Sequence, residues 1–91
     1  MKTPKQLERH FKGVANHRRL QILLLLHAYK VLSLIAIAKN LHCNLKTIAE
    51  HTRRLTLAGL VNKKYRGREV EHTLSPYGHR MFDLIKTFSH S

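Results

Sequence analysis

"NLKTIAEHTRRLTLAGLV", residues 44–61, decides how the rest of the chain is read. Leu45, Ile48, Thr52 and Leu55 recur at about 100° per residue, the spacing of one helical face, with Ala49 beside them. Asn44 stands where an N-cap belongs and Gly59 where a helix commonly ends. The opposite face carries Lys46, Thr47, Glu50, His51, Arg53 and Arg54, with Leu57 as its one apolar member. Cations, a hydroxyl and a carboxylate on one side are the groups that meet phosphates and base edges. An ordinary solvated face is the plainer alternative.

The flanking sequence favours the first reading. Upstream, Ser33 caps a short helix, "LIAIAKNL", and His42-Cys43 makes a tight turn into Asn44. A short helix, a tight turn and a longer basic helix form a helix-turn-helix. Downstream the period changes to two. "LVNKKY" and "EVEHTL" flank "RGR", which predicts a β-hairpin with Gly67 in the turn conformation that side chains resist. "KKYRGR", residues 63–68, sets Lys63, Lys64, Arg66 and Arg68 around the hairpin tip, either as contacts to a minor groove and phosphates or as protection of an exposed edge.

The ends of the chain add helices. Thr3-Pro4, with Gln6 at capping-box spacing, starts a first helix over about 4–13 that carries Leu7, Phe11 and Val14. Asn16 caps a second, "HRRLQILLLLHAY", whose leucines run nearly all the way round. Burial by its own small domain would not need both Leu24 and Leu25, so a partner subunit is implied. Ser75-Pro76 begins a last helix striped with Tyr77, Met81, Leu84, Ile85 and Phe88. The fold class is therefore mainly α with a small β-hairpin (α+β), a winged helix-turn-helix occupying residues 1–91 as a single domain.

Composition narrows the partner. Seventeen Lys and Arg against five Asp and Glu give a net charge of +12. In a chain of 91 residues such an excess calls for a polyanion, and nucleic acid leads, ahead of a membrane surface. The single cysteine, Cys43, excludes an intrachain disulfide and a four-cysteine zinc site, and suits a reducing compartment. Its expected role is that of a small buried hydrophobe, with a redox switch as the sharper alternative. The apolar runs are too short to span a bilayer and the first residues lack a secretory apolar region, so a soluble cytoplasmic protein, nucleoid-associated in a prokaryote or viral in a host cell, is expected. The few carboxylates are scattered, no glycine-rich phosphate loop exists and no serine has an evident base. No enzyme and no cofactor is expected.

With these residues in view, the chain resembles the ArsR/SmtB-type winged-helix repressors, small dimeric regulators. "FKGVANHRRLQILLLL" is similar to that family's opening pattern, "AIAKNLHCNLKTIAEHTRRLTLAGLV" to its helix-turn-helix segment without a gap, and "KKYRGREVEHTLSPYGHRMF" to its wing and closing helix. The "LSPYGHR" portion also resembles MarR- and PadR-like proteins. The likeness spans about residues 11–82. Departures are His17 for a usual proline, Thr52 for leucine and Leu57 for a polar residue. The family's metal-sensing C-x-C falls on Ser33 and Ile35, so that thiolate site is missing here.

The resemblance implies a sequence-specific, double-stranded DNA-binding transcriptional regulator, a dimeric repressor that reads an inverted repeat. Asn44, Lys46, Thr47, Glu50, His51, Arg53 and Arg54 would lie in or beside the major groove, and Lys63, Lys64, Arg66, Gly67 and Arg68 on the minor groove and backbone. Glu50 would either read a base or pair with Arg54. Residues 1–15 and 75–91 would dimerise through Leu7, Phe11, Met81, Leu84, Ile85 and Phe88. By the same resemblance Arg19 braces the fold. His79 and His90 have the spacing of two ligands in zinc-sensing members, which makes a zinc-responsive repressor a minor alternative; surface histidines with no metal are preferred. The main alternative function is a sequence-indifferent architectural protein that coats DNA.

Overall fold

Five helices begin where a side-chain oxygen accepts from the backbone of the first turn. The computed structural model describes residues 1–90. Thr3 forms the expected capping box with Gln6 and starts α1, Pro4–Val14. Asn16 accepts from the amides of Arg18 and Arg19 and starts α2, His17–Tyr29. Ser33 starts α3, Leu34–Asn40, Asn44 starts α4, Leu45–Leu57, and Ser75 starts α5, Pro76–Ser89. Each cap satisfies donors that would otherwise be orphaned, worth about 1 kcal/mol apiece.

The hairpin comprises β2, Val61–Arg66, and β3, Glu69–Leu74. Arg66 pairs with Glu69, leaving Gly67 and Arg68 as a two-residue turn, and Gly67 takes φ +60° as expected. One element is new. Leu32–Ser33 forms a short strand, β1, antiparallel to β3, giving a three-stranded sheet in the order β1-β3-β2. A two-residue strand has no periodicity to detect, which is why the sequence suggested only a cap at Ser33.

The core gathers Ile22, Leu23 and Leu26 of α2, Ile37 of α3, Ile48 and Leu55 of α4, and Leu60 and Val61 after it, all buried. Each such side chain contributes roughly 1.5–3 kcal/mol. Thr52, facing inward in place of an apolar residue, donates its hydroxyl to the Ala49 carbonyl at 3.0 Å. Leu45, in the first turn of α4, departs from the expected apolar face and is exposed. Of the all-round leucines of α2, Leu24 is exposed and Leu25 half-buried. Arg19 does brace the fold, donating through Nη1 to the carbonyls of Lys12 and Gly13 and so tying α2 to the end of α1. The His27 ring stacks on Phe82 at a centroid distance of 3.5 Å, holding α2 against α5. Cys43 is half-buried against the core edge.

His72 is the buried exception. It sits on the central strand, opposite Leu32 and Lys63, and neither ring nitrogen has a well-formed hydrogen bond. Burial, with a smaller push from Lys63, holds its pKa below the ordinary 6.5. A histidine of depressed pKa binds its proton more readily unfolded, so its effect on stability appears as pH falls below 6.5, where the folded state loses ground. His72→Leu is expected to remove that component of the pH dependence. Thermal melts at pH 7.5 and 5 check it. Unchanged pH dependence in the variant would exclude His72 as its source.

Candidate nucleic-acid interface

The first turn of α4 is open. The Asn44 side-chain oxygen is engaged by the amides of Lys46 and Thr47, at 2.8 and 3.3 Å, so Asn44 serves first as a cap and only its amide group is left to face outward. Lys46 and Thr47 are both exposed, and among the described residues Lys46 forms no ion pair.

One turn further, Glu50 is held from two sides. Arg53 donates through Nε and Nη2 at 3.0 and 2.7 Å, and Arg54 through Nε at 3.0 Å. These bonds push the Glu50 pKa down to about 2 and raise that of Arg53. Of the two readings the sequence left open, pairing is the one observed, and it includes Arg53 as well as Arg54. With its oxygens engaged and its charge permanent, Glu50 orients two guanidinium groups rather than offering a free acceptor. His51 also differs from a groove-facing residue. It is half-buried, its Nδ1 is buried without a partner, and its pKa is lowered by burial and then by the nearby Arg19.

The wing divides by face. Val61, Lys63 and Tyr65 share one side of β2 with Val70, His72 and Leu74 opposite them, while Asn62, Lys64 and Arg66 face Thr73, Glu71 and Glu69. On the second face Arg66 pairs with Glu71 at 3.3 Å, so part of its charge is neutralised. Lys63, Lys64 and Arg68 have no ion pair among the described residues. Tyr65, three-quarters exposed between two cations, was not singled out in the sequence. Strand alternation placed it on the core side, but the wing extends past the body that would cover it. At the tip, Arg68 and Val70 line one small cleft together with Ile35 and Leu45. The wing tip and the start of α4 are therefore neighbours.

A separate cleft of about 520 Å³ lies between α1 and α5, lined by Leu7, Phe11, Leu84, Tyr77 and His10 among others. Leu7, Phe11, Leu84 and Phe88 are exposed there or nearby, whereas Met81 is already buried by its own chain and packs in the core. No group of three or more His, Cys, Asp or Glu side chains placed to hold a metal occurs among the described residues. No helix is long and apolar enough to cross a membrane.

No family model matches the chain, and no curated protein does. Solved structures do. The winged helix-turn-helix DNA-binding domain of Mb0332 from Mycobacterium bovis, described as homodimeric and as a possible ArsR-family regulator, superposes with a TM-score of 0.85 at 32% identity over 94% of this chain and 80% of its own. The chain belongs to the ArsR family. A crystal structure of a Mycobacterium bovis fragment 1–100, a possible transcriptional regulatory protein, agrees at a TM-score of 0.84 and 32% identity, over 96% of this chain and 94% of that one. HlyU from Vibrio cholerae follows at 0.84 and 28%, over 96% and 95%. This ArsR-family chain is thus matched from its first helix to its last by regulators of the winged-helix class, in agreement with the fold class and the resemblance read from its sequence.

Proposed function

We propose that this protein is a dimeric, sequence-specific regulator of transcription that represses a promoter by occupying it. Its α4 lies in the major groove and its wing, residues 63–70, on the adjacent minor groove and backbone. The observation that carries the reading is the open first turn of α4, where the side chains of Lys46 and Thr47 are exposed and Lys46 has no ion pair among the described residues, while Glu50 is engaged. In a helix-turn-helix the early residues of the second helix are nearest the bases. Lysine donates to guanine acceptors and threonine reaches a base edge or a phosphate. Arg53, Arg54, Lys63, Lys64 and Arg68 meet phosphates, and His51 supports the helix from behind.

The Mycobacterium bovis relative is a homodimer, and the apolar cleft between α1 and α5 supports the same assembly here. A twofold axis through residues 1–15 and 75–91 would set two α4 helices about 34 Å apart, one turn of duplex, and so favours an inverted repeat. Such a protein works where the chromosome is, on the nucleoid in the cytoplasm.

Selection of bound sites from random duplex tests specificity and symmetry together. A recovered inverted repeat preferred over random duplex by more than about 10³ is the expected result. A lower ratio with a steep salt dependence would instead identify a sequence-indifferent coat. Within the selected site, Lys46→Ala is expected to cost about 1–3 kcal/mol and to relax preference at one base pair. Equal weakening on every duplex would show that Lys46 meets phosphate alone.

A further inference from the structure

The cationic surface does not stop at α4. Between the second half of α1, the start of α2 and the last turns of α4 lies a cleft of about 320 Å³, walled by Arg9, Lys12, Arg19 and Arg54 over a floor that includes Leu57 and Ala58. Four cations and no carboxylate line it. Two are fixed by backbone: Arg9 donates through Nε to the Leu57 carbonyl at 2.9 Å, and Arg19 through Nη1 to Lys12 and Gly13. Arg19 Nε is buried and has no partner. Glu8 pairs with the Lys12 ammonium at 3.0 Å and Glu50 with Arg54 Nε at 3.0 Å, so among the described residues Arg9 and Arg19 are the cleft cations without an acid partner. Because Asn16 already caps the α2 amides, the side chains rather than the helix end make the site.

We propose that this cleft is a phosphate site, and that its phosphate belongs to the DNA backbone at the end of α4 remote from the wing tip; the source of the phosphate rests on the DNA-binding reading above. Arg54 is shared between the cleft and the cationic face of α4. From Lys46 to Arg54 the helix rises about 12 Å, at 1.5 Å per residue. That matches the roughly 12 Å width of the major groove. With Lys46 at base edges, Arg54 and the cleft behind it meet a wall of the groove, while the wing tip stands beside the other end of the helix. Two or three guanidinium and ammonium groups then converge on one phosphodiester, the arrangement in which arginine donates in pairs.

The same chemistry would accept the phosphate of a free nucleotide, and the experiment separates the two sources. Duplex affinity is measured against salt concentration for the wild type, for Arg9→Gln with Lys12→Gln, and for Arg9→Lys. In parallel, pyrophosphate is titrated into DNA-free protein while amide and arginine side-chain NMR signals are followed. The double variant is expected to bind all duplexes about tenfold more weakly, with a salt slope reduced by about 1–2. Arg9→Lys should retain the slope although it loses the bond to Leu57, which a purely structural role for Arg9 would not allow. Unchanged affinity and slope in the double variant, with pyrophosphate signals confined to the double variant's unaffected surfaces or absent, overturns the site. Unchanged duplex binding with pyrophosphate shifts at Arg9, Arg19 and Arg54 that the double variant abolishes keeps the site and assigns it to a free phosphate ligand. If the wild type binds no duplex, the DNA-binding reading fails, and the pyrophosphate titration alone decides whether the cleft binds phosphate.

Discussion

Leu84→Asp is expected to leave the protein monomeric and to weaken binding to an inverted repeat by ~10²–10⁴-fold. The effect is large because a single head contacts only one half-site. A second head, once tethered, binds at high effective concentration, and that gain vanishes when the subunits separate. Leu84 lines the cleft between α1 and α5 with Leu7 and Phe11, and all three are exposed, a pattern that an isolated domain of this size does not need. A carboxylate placed there would have to be desolvated against its own symmetry mate. Phe88→Asp, further along the same helix, provides a second variant. Light scattering on the eluting protein reads the mass, and melting curves verify that the fold persists. A dimer that survives both substitutions would move the interface to another surface, with exposed Leu24 as the place to look.

Gly78→Ala is expected to be strongly damaging for a single added methyl. A Cβ at position 78 would stand inside contact distance of the Leu60 carbonyl oxygen, with the Leu74 side chain close on another side. Leu60 cannot step aside, because its carbonyl accepts from the Ser75 amide at 3.0 Å. Ser75 in turn donates its hydroxyl to the Gly59 carbonyl at 2.6 Å and accepts from the Gly78 amide at 3.0 Å. The junction of α4, the wing and α5 is therefore closed by the Leu60 backbone on one side and the Leu74 side chain on another. Overpacking of this kind costs about 1–3 kcal/mol and sometimes more. For a domain this small each kcal/mol lowers Tm by roughly 4–8 °C, so a loss of about 4–24 °C is predicted. A melting temperature within 3 °C of wild type would mean that α5 can slide along β3.

The sequence announced its caps and periods clearly, because each depends on one or two residues acting locally. Thr3, Asn16, Ser33, Asn44 and Ser75 all cap as read, and the turn at Gly67 and the end of α4 at Gly59 follow from φ values of +60° and +76°. What depended on distant residues was not legible. The strand Leu32–Ser33 exists only because β3 is there to receive it. Glu50 could be foreseen as a partner of Arg54, but its simultaneous hold on Arg53 depends on side-chain geometry that spacing leaves free. His51 lies on the polar side of the helical wheel, yet the start of α2 half-covers it. The cleft between α1, α2 and α4 draws on residues 45 positions apart, from Arg9 to Arg54, and no motif joins them.

The pairing of Leu32 and Ser33 with Glu71 and His72 has a mechanical meaning. Ser33 ends that strand and also caps α3, so the reading head and the hairpin are bolted together through a single residue. The helix-turn-helix and the hairpin therefore share a backbone connection that the chain order alone does not provide.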